Sequence, residues 1–152
     1  MTFESTDGTR GARQPGGRIM RWFNKRTARR IRRGDAKIMG HDTLLLITVG
    51  RKSGQPRETP VMRFGGPGGS WYVVASANGA TRNPAWYHNV AAHPGQVRVV
   101  VDGTETAVTA EQLHGDERTR VWQQICATNK RFSSYADKTD RDIPIIKLTP
   151  AG

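Results

Sequence analysis

Along this chain the apolar positions form no pattern until residue 18. Residues 1–17 are Gly, Ser, Thr and Arg with one aromatic residue, too little apolar surface to offset ordering entropy, so a disordered tail is predicted. From Arg18 to Arg33, Ile19, Phe23, Thr27 and Ile31 recur every four residues among arginines, which predicts a basic amphipathic helix stopped by Gly34. Leu44 to Val49 is an unbroken apolar run ending in β-branched residues, a strand buried on both faces. After the turn around Gly50, Gly54 and Pro56, a second strand resumes at Thr59 and runs to about Phe64. GGPGG at 65–69 reads as a flexible connection to a third strand, Trp71 to Ser76. Asn83 and Pro84 predict an N-cap and a first helical residue for a short helix ending near His93. Two strands, Gln96–Asp102 and Thr104–Ala110, flank an Asp102-Gly103 hairpin turn. Gly115 to Thr128 carries Val121, Trp122, Ile125 and Cys126 at helical spacing; a basic, aromatic loop follows, and Asp142–Thr149 forms a last strand. Six strands linked mostly by hairpins predict a β-dominated α+β domain, an antiparallel barrel with helices outside it.

Composition adds limits. The length of 152 residues fits one domain from about residue 36 onward, and no apolar run is long enough to span a bilayer. The formal charge of +11 is unevenly placed, because residues 1–35 alone carry a net +7. A single cysteine, Cys126, excludes an internal disulfide and fits a reducing cytoplasm, and the N-terminus lacks the apolar segment of a signal peptide. Three roles fit the basic helix: docking on the core, peripheral contact with an anionic membrane, or a nucleic-acid arm.

Candidate chemistry narrows further. His41, His88, His93 and His114 are not spaced as a ligand set and no Cys/His cluster accompanies them, so no metal is expected. Cys126 lies on an apolar helix stripe and reads as packing, and no GxSxG elbow exists. Asp140 and Asp142 beside Arg141 read as a solvated ion pair. What stands out is the turn after the first strand, where Arg51, Lys52, Ser53 and Arg57 meet at a glycine-bracketed bend. It is neither a nucleotide P-loop nor a dinucleotide fingerprint. By itself it reads either as a solvated hairpin or as an anion site. Together with the Ser76–Asn78 loop and PAWYHN (84–89), it suits a planar cofactor whose phosphate rests on the cations while apolar and aromatic walls hold the ring. For Trp86 and Tyr87 simple core packing is the competing reading.

LLLITVGRKSGQPRETPV, VVASANGATRNPAWYHNV with HP following, and TDRDIPIIKLTP, in that order over residues 36–150, resemble the deazaflavin-dependent nitroreductase family of actinobacteria. That resemblance implies a split β-barrel and coenzyme F420, an 8-hydroxy-5-deazaflavin with a phosphate and a polyglutamate tail. It implies hydride transfer from the reduced ring to a small electron-poor acceptor such as a quinone, an enone or a nitroaromatic. By motif, Arg51, Lys52, Ser53 and Arg57 would hold the phosphate and tail carboxylates. Thr59, Pro60, Val61 and Met62 would line the ring, and Val74, Ala75, Ser76, Ala77, Pro84, Ala85, Trp86, Tyr87, His88 and Asn89 would complete the pocket. Tyr135 and Ser76 are the candidate catalytic residues, with solvent as a third proton source. Family members often carry a lysine at the position of Ala77 and tyrosines at those of Asn129 and Phe132. These departures favour quinone or enone reduction over nitroimidazole reduction. On this reading Arg26, Arg29 and Arg30 form a cationic face for the polyglutamate tail or for an anionic membrane carrying a lipid quinone. Two other readings stand beside it: a flavin-mononucleotide oxidoreductase of the pyridoxamine-oxidase-like kind, and a cofactor- or nucleic-acid-binding module without catalysis. The aromatic pocket beside the cations argues against nucleic acid.

Overall fold

The computed structural model describes residues 3–12, 18–34, 37–38 and 40–151, with the main chain alone for Ile19, Met20, Ile38 and Asn78. Residues 1–2 and 13–17 of the expected tail, and Ala36 ahead of the first strands, lie outside the described residues.

The apolar run after residue 43 builds the central strand. β2 (His41–Val49) follows the short β1 (Lys37–Ile38) and pairs antiparallel with it, with β3 (Pro56–Met62) and with β6 (Val97–Val101). Leu44 and Leu46 face the inner core, whereas Leu45 packs on the opposite face with Val100, Ala28 and Ile31. Burial on both faces is why this strand shows no alternation in sequence. The sheet runs β1-β2-β6-β7-β8-β5-β4, with β4 (Phe64–Gly65), β5 (Trp71–Val74), β7 (Thr104–Gln112) and β8 (Ile145–Pro150), every pairing antiparallel. Among the described residues β3 pairs with β2 alone, and it curls back toward β5. The sheet is thus nearly closed, with a seam between β3 and β5. The β6–β7 hairpin turns at Asp102 and Gly103, both at positive φ, as the two-residue turn requires.

Among the described residues four α-helices pack outside. α1 (Arg18–Arg32) docks through Ala28 and Ile31 and ends with Gly34 at φ +85, whose N–H donates to the Ile31 carbonyl. Of the expected stripe Ile19, Phe23, Thr27 and Ile31, Ile31 is buried, but Phe23 is 58% exposed, and the helix presents the small Ala28 to the sheet beside Ile31. α2 (Ala85–Ala92) has Pro84, not Asn83, at its cap position, because Asn83 is buried and bonded elsewhere. α3 (Gly115–Thr128) buries Val121 and Ile125 as its pattern predicts. The basic segment expected as a loop is instead α4 (Arg131–Lys138), with Phe132 buried against Phe64 and Tyr135. Two short strands, β1 and β4, also join the six expected, and the β-dominated α+β class holds.

Part of the tail also departs from expectation. The Gly8 and Ala12 N–H groups donate to the carbonyls of Thr81 and Gly79, and Thr9 and Arg10 bond the Asp140 carboxylate. Phe3 packs edge-on against Tyr87. Residues 3–12 find partners in main-chain groups of the 79–81 loop, which composition cannot reveal.

Candidate functional site

The β2–β3 turn is held closed by its own backbone. Gly50 N–H donates to the Gln55 carbonyl at 2.8 Å and Gly54 N–H to the Gly50 carbonyl at 2.8 Å. A side chain on Gly50 would lie 2.6 Å from Ser53 Oγ, so only glycine lets Ser53 fold across the bend. Ser53 Oγ there accepts from the Gln55 N–H and, at 3.4 Å, from Arg57 Nη2. Asn89 ties this turn to α2: its Oδ1 accepts the Arg51 N–H at 3.1 Å while its Nδ2 donates to Thr48 Oγ1. The turn is therefore a fixed platform, with the Arg51, Lys52 and Arg57 side chains left exposed.

Between this turn, α1 and α2 lies a cavity of about 720 Å³. The turn and β3 contribute Gly50 to Ser53 and Pro56 to Thr59, α2 contributes Ala85, Trp86 and Asn89, and α1 contributes Arg21, Asn24, Lys25 and Ala28. Five cations line it: Arg21, Lys25, Arg51, Lys52 and Arg57. Among the described residues none of the five has an ion-pair partner, and the lone acid of the wall, Glu58, is bonded by Arg32. Such a wall is built for an anion, and the buried Trp86 beside it offers an apolar surface for a ring. A phosphate-bearing planar cofactor fits this donor set.

The structure brings Arg51, Lys52, Ser53, Arg57, Thr59, Ala85, Trp86 and Asn89 of the expected site residues to one cavity. The other expected residues, Ser76 and Tyr135 among them, do not line it. Pro60, Val61 and Met62 continue β3 away from the turn, opposite Leu45, Leu44 and Thr43. Val74 and Ala75 are buried at the end of β5, across the seam from β3. Pro84 sits at the start of α2. Tyr87 points away from the cavity: its hydroxyl donates to Gln112 Oε1 at 2.7 Å, and burial followed by nearby Glu4 raises its pKa. His88 is half-buried, its pKa lowered by burial first and by Arg51 second, with Asp7 opposing. Burial and the Arg51 charge thus both favour its neutral form.

Ser76 and Ala77 open a 3₁₀ turn, Ala77–Gly79, with Ala77 at φ +46, a conformation that costs free energy outside glycine. Tyr135 lies next to it: a side chain on Gly79 would come within 3.0 Å of the Tyr135 carbonyl, so glycine permits α4 to approach. The two candidate catalytic residues thus share one corner of the molecule. Tyr135 stacks edge-on with Phe132 at 5.5 Å, and Lys138 Nζ sits 5.7 Å from its ring centre.

Arg141 was expected in a solvated ion pair and is instead 4% exposed. Its Nε donates to the Ala80 carbonyl, Nη1 to the Ala75 carbonyl and to Asn83 Oδ1, and Nη2 to the Ser76 carbonyl. It stitches the end of β5 to the loop before α2. Asp142 pairs with Arg118, and Asp140, held down to about 2 chiefly by the Thr9 hydroxyl and the Arg10 N–H, anchors the N-terminal segment. The sequence reading missed Arg21, Asn24 and Lys25, because α1 carries cations all round and its pattern does not tell which face meets the turn. Arg26, Arg29 and Arg30, expected to reach the tail, do not line the cavity. Among the described residues no group of three or more His, Cys, Asp and Glu comes together as a metal site.

A family model described as F420H(2)-dependent quinone reductase matches residues 18–150. An F420H(2)-dependent quinone reductase of Mycobacterium tuberculosis is 37% identical over 128 residues, spanning 78% of this chain and 85% of the relative. Among solved structures, an F420-H2 dependent reductase superposes with a TM-score of 0.63 at 35% identity, over 70% of this chain and 93% of that one. A Listeria innocua protein assigned as a pyridoxamine 5′-phosphate oxidase superposes with a TM-score of 0.52 over 75% of this chain and 87% of its own; at 15% identity it shows the split-barrel fold alone.

Proposed function

The chain belongs to the F420H(2)-dependent quinone reductase family, an oxidoreductase that uses reduced F420, and we propose that it works through the cavity between the β2–β3 turn, α1 and α2. The observation that carries this reading is the set of five cations, none with an ion-pair partner among the described residues, beside the buried Trp86. Arg51, Lys52 and Arg57, with Ser53, hold the cofactor phosphate, the arginines supplying paired donors. Asn89 keeps the Arg51 main chain in register with α2, so the clamp is set before ligand arrives. Trp86 and Thr59 flank the start of the ring site, which extends along Pro60 to Met62 toward the seam and the Val74–Ala77 strand end.

Reduced F420 supplies a hydride, and a quinone that accepts it needs one proton to become a hydroquinone. Tyr135 and Ser76, brought to the same corner, are the side chains that hold a proton for that oxygen, with solvent as the third source. Arg141 acts one step back, fixing the Ser76 carbonyl and hence the strand end that carries the hydroxyl.

The acceptor's source is read from α1. No helix of the described residues is long and apolar enough to cross a membrane. Yet Trp22 and Phe23 stand 59% and 58% exposed, with Arg26, 5.7 Å from the Trp22 ring centre, and Arg29 and Arg30 nearby. This outward face suits peripheral contact with an anionic bilayer that carries a lipid quinone.

The direct test follows the oxidation of reduced F420 by absorbance with a soluble quinone, an enone or a nitroaromatic as acceptor. Quinone-dependent turnover by wild type that Tyr135→Phe and Ser76→Ala lower without weakening cofactor affinity is the expected outcome. Turnover unaffected in both variants removes these side chains from proton transfer, and no turnover with any quinone overturns the reading.

A further inference from the structure

The cations of the cavity come from two elements of different geometry. On the β2–β3 turn, Arg51, Lys52 and Arg57 surround a compact bend in which Ser53 is already folded, a shape matched to one phosphate. On α1, Arg21 and Lys25 are both exposed and one helical turn apart, so their stems leave the helix about 6 Å from each other on one side. A spaced pair of long, exposed cations is less confined to one point than the compact turn is. It matches carboxylates strung along an extended chain.

The helix itself shows that this placement is not neutral. No acidic residue occupies the first turn of α1, where the helix dipole favours anions, and Arg21 stands near that end. Among the described residues neither Arg21 nor Lys25 has a carboxylate partner, while Arg32 of the same helix takes Glu58, the lone acid in the wall. The arrangement costs stability through repulsion between like charges until an acidic chain supplies the missing charge. Arg26, Arg29 and Arg30 carry the same charge but do not line the cavity.

We propose that Arg21 and Lys25 of α1 form a second anionic subsite, which binds the γ-glutamyl carboxylates of the cofactor tail and makes affinity depend on tail length, leaving the phosphate to the β2–β3 turn. This rests on the reading of the cavity as the F420 site. Asn24, half-buried between the two cations, adds an amide that can bond the peptide groups of the tail. The N-terminal helix is then part of cofactor recognition and not merely a support for the sheet.

The test measures dissociation constants by fluorescence titration for three oxidised ligands: the deazaflavin without phosphate, the phosphate-bearing form without glutamates, and the form with several glutamates. Wild type should bind the last most tightly, with the strongest salt dependence. Arg21→Gln/Lys25→Gln should weaken binding of the glutamate-bearing form by about tenfold and leave the other two ligands unchanged, which also shows that the cavity is intact. Arg120→Gln/Arg131→Gln, with the same loss of charge elsewhere on the surface, should bind all three as wild type does. Equal weakening of the glutamate-free phosphate form would assign Arg21 and Lys25 to the phosphate and overturn the proposal. Unchanged affinity for all three, or an equal loss in the Arg120/Arg131 variant, also overturns it. Failure of wild type to bind any of the three ligands instead overturns the cofactor reading on which it rests.

Discussion

Arg141 is buried with all its named bonds directed to main-chain carbonyls and to Asn83, and among the described residues it has no carboxylate in ion-pair contact. Burial lowers its pKa, with Asp7 and Asp142 acting against that shift. A guanidinium stays charged under such pressure because its intrinsic pKa is so high, whereas a lysine ammonium would not. Its planar fork also spans several acceptors at once. Arg141→Lys therefore keeps nominal charge but strands at least two buried carbonyls, and should lower unfolding free energy by about 3 kcal/mol, read as a fall in the urea midpoint. A loss under about 0.5 kcal/mol, the range of an ordinary surface substitution, would contradict this role. Asp140, Arg141 and Asp142 illustrate what adjacent residues hide: three neighbouring charges serve the N-terminal segment, the β5 end and α3 respectively. Local sequence suggested a single exposed ion pair, since only the fold decides which side chain turns inward.

At the scale of elements, α1 divides its surface among three tasks. Ala28 and Ile31 dock on β2 and β6, Arg21 and Lys25 face the cavity, and Trp22, Phe23 and Arg26 face outward. If the outward face meets a bilayer, Trp22→Ser/Phe23→Ser should cut co-flotation with phosphatidylglycerol vesicles by at least about tenfold, since each ring contributes on the order of 2 kcal/mol of apolar transfer. Flotation equal to wild type would leave that face without this role. The β2–β3 turn was legible in sequence because Gly50, Gly54 and Pro56 mark a bend and its cations follow directly. The long apolar run of β2 and the Asp102-Gly103 hairpin were equally plain, since turn chemistry and burial are local properties. α1's orientation was not legible: arginines surround it, so periodicity gives no direction. Nor was α4, whose one deeply buried residue, Phe132, leaves little apolar period, or the docking of residues 3–12, which rests on main-chain groups far away in sequence.

The whole molecule is a curled sheet, and the proposed site lies at the turn end of its central strand β2. β2 carries the clamp at its end, α2 supplies Trp86 and Asn89, and α1 closes the cavity from outside. The net +11 is thereby given a local meaning: five of the cations line one cavity without acid partners among the described residues, the placement that the proposed binding of an anionic cofactor requires. The N-terminal segment bonds the 79–81 loop and Asp140 on the side of Ser76 and Tyr135, while α1 lines the cavity, so residues before position 34 reach both parts of the proposed site. The most direct measurement of this account is a fluorescence titration of wild type and Arg51→Gln/Arg57→Gln with F420 and with flavin mononucleotide. Wild type should bind F420 far more tightly than the flavin, and the double variant should lose about 100-fold in F420 affinity, two charge-assisted phosphate contacts at about 1.5 kcal/mol each. Unchanged F420 affinity in the variant, or tight flavin binding without F420 binding in wild type, would contradict it.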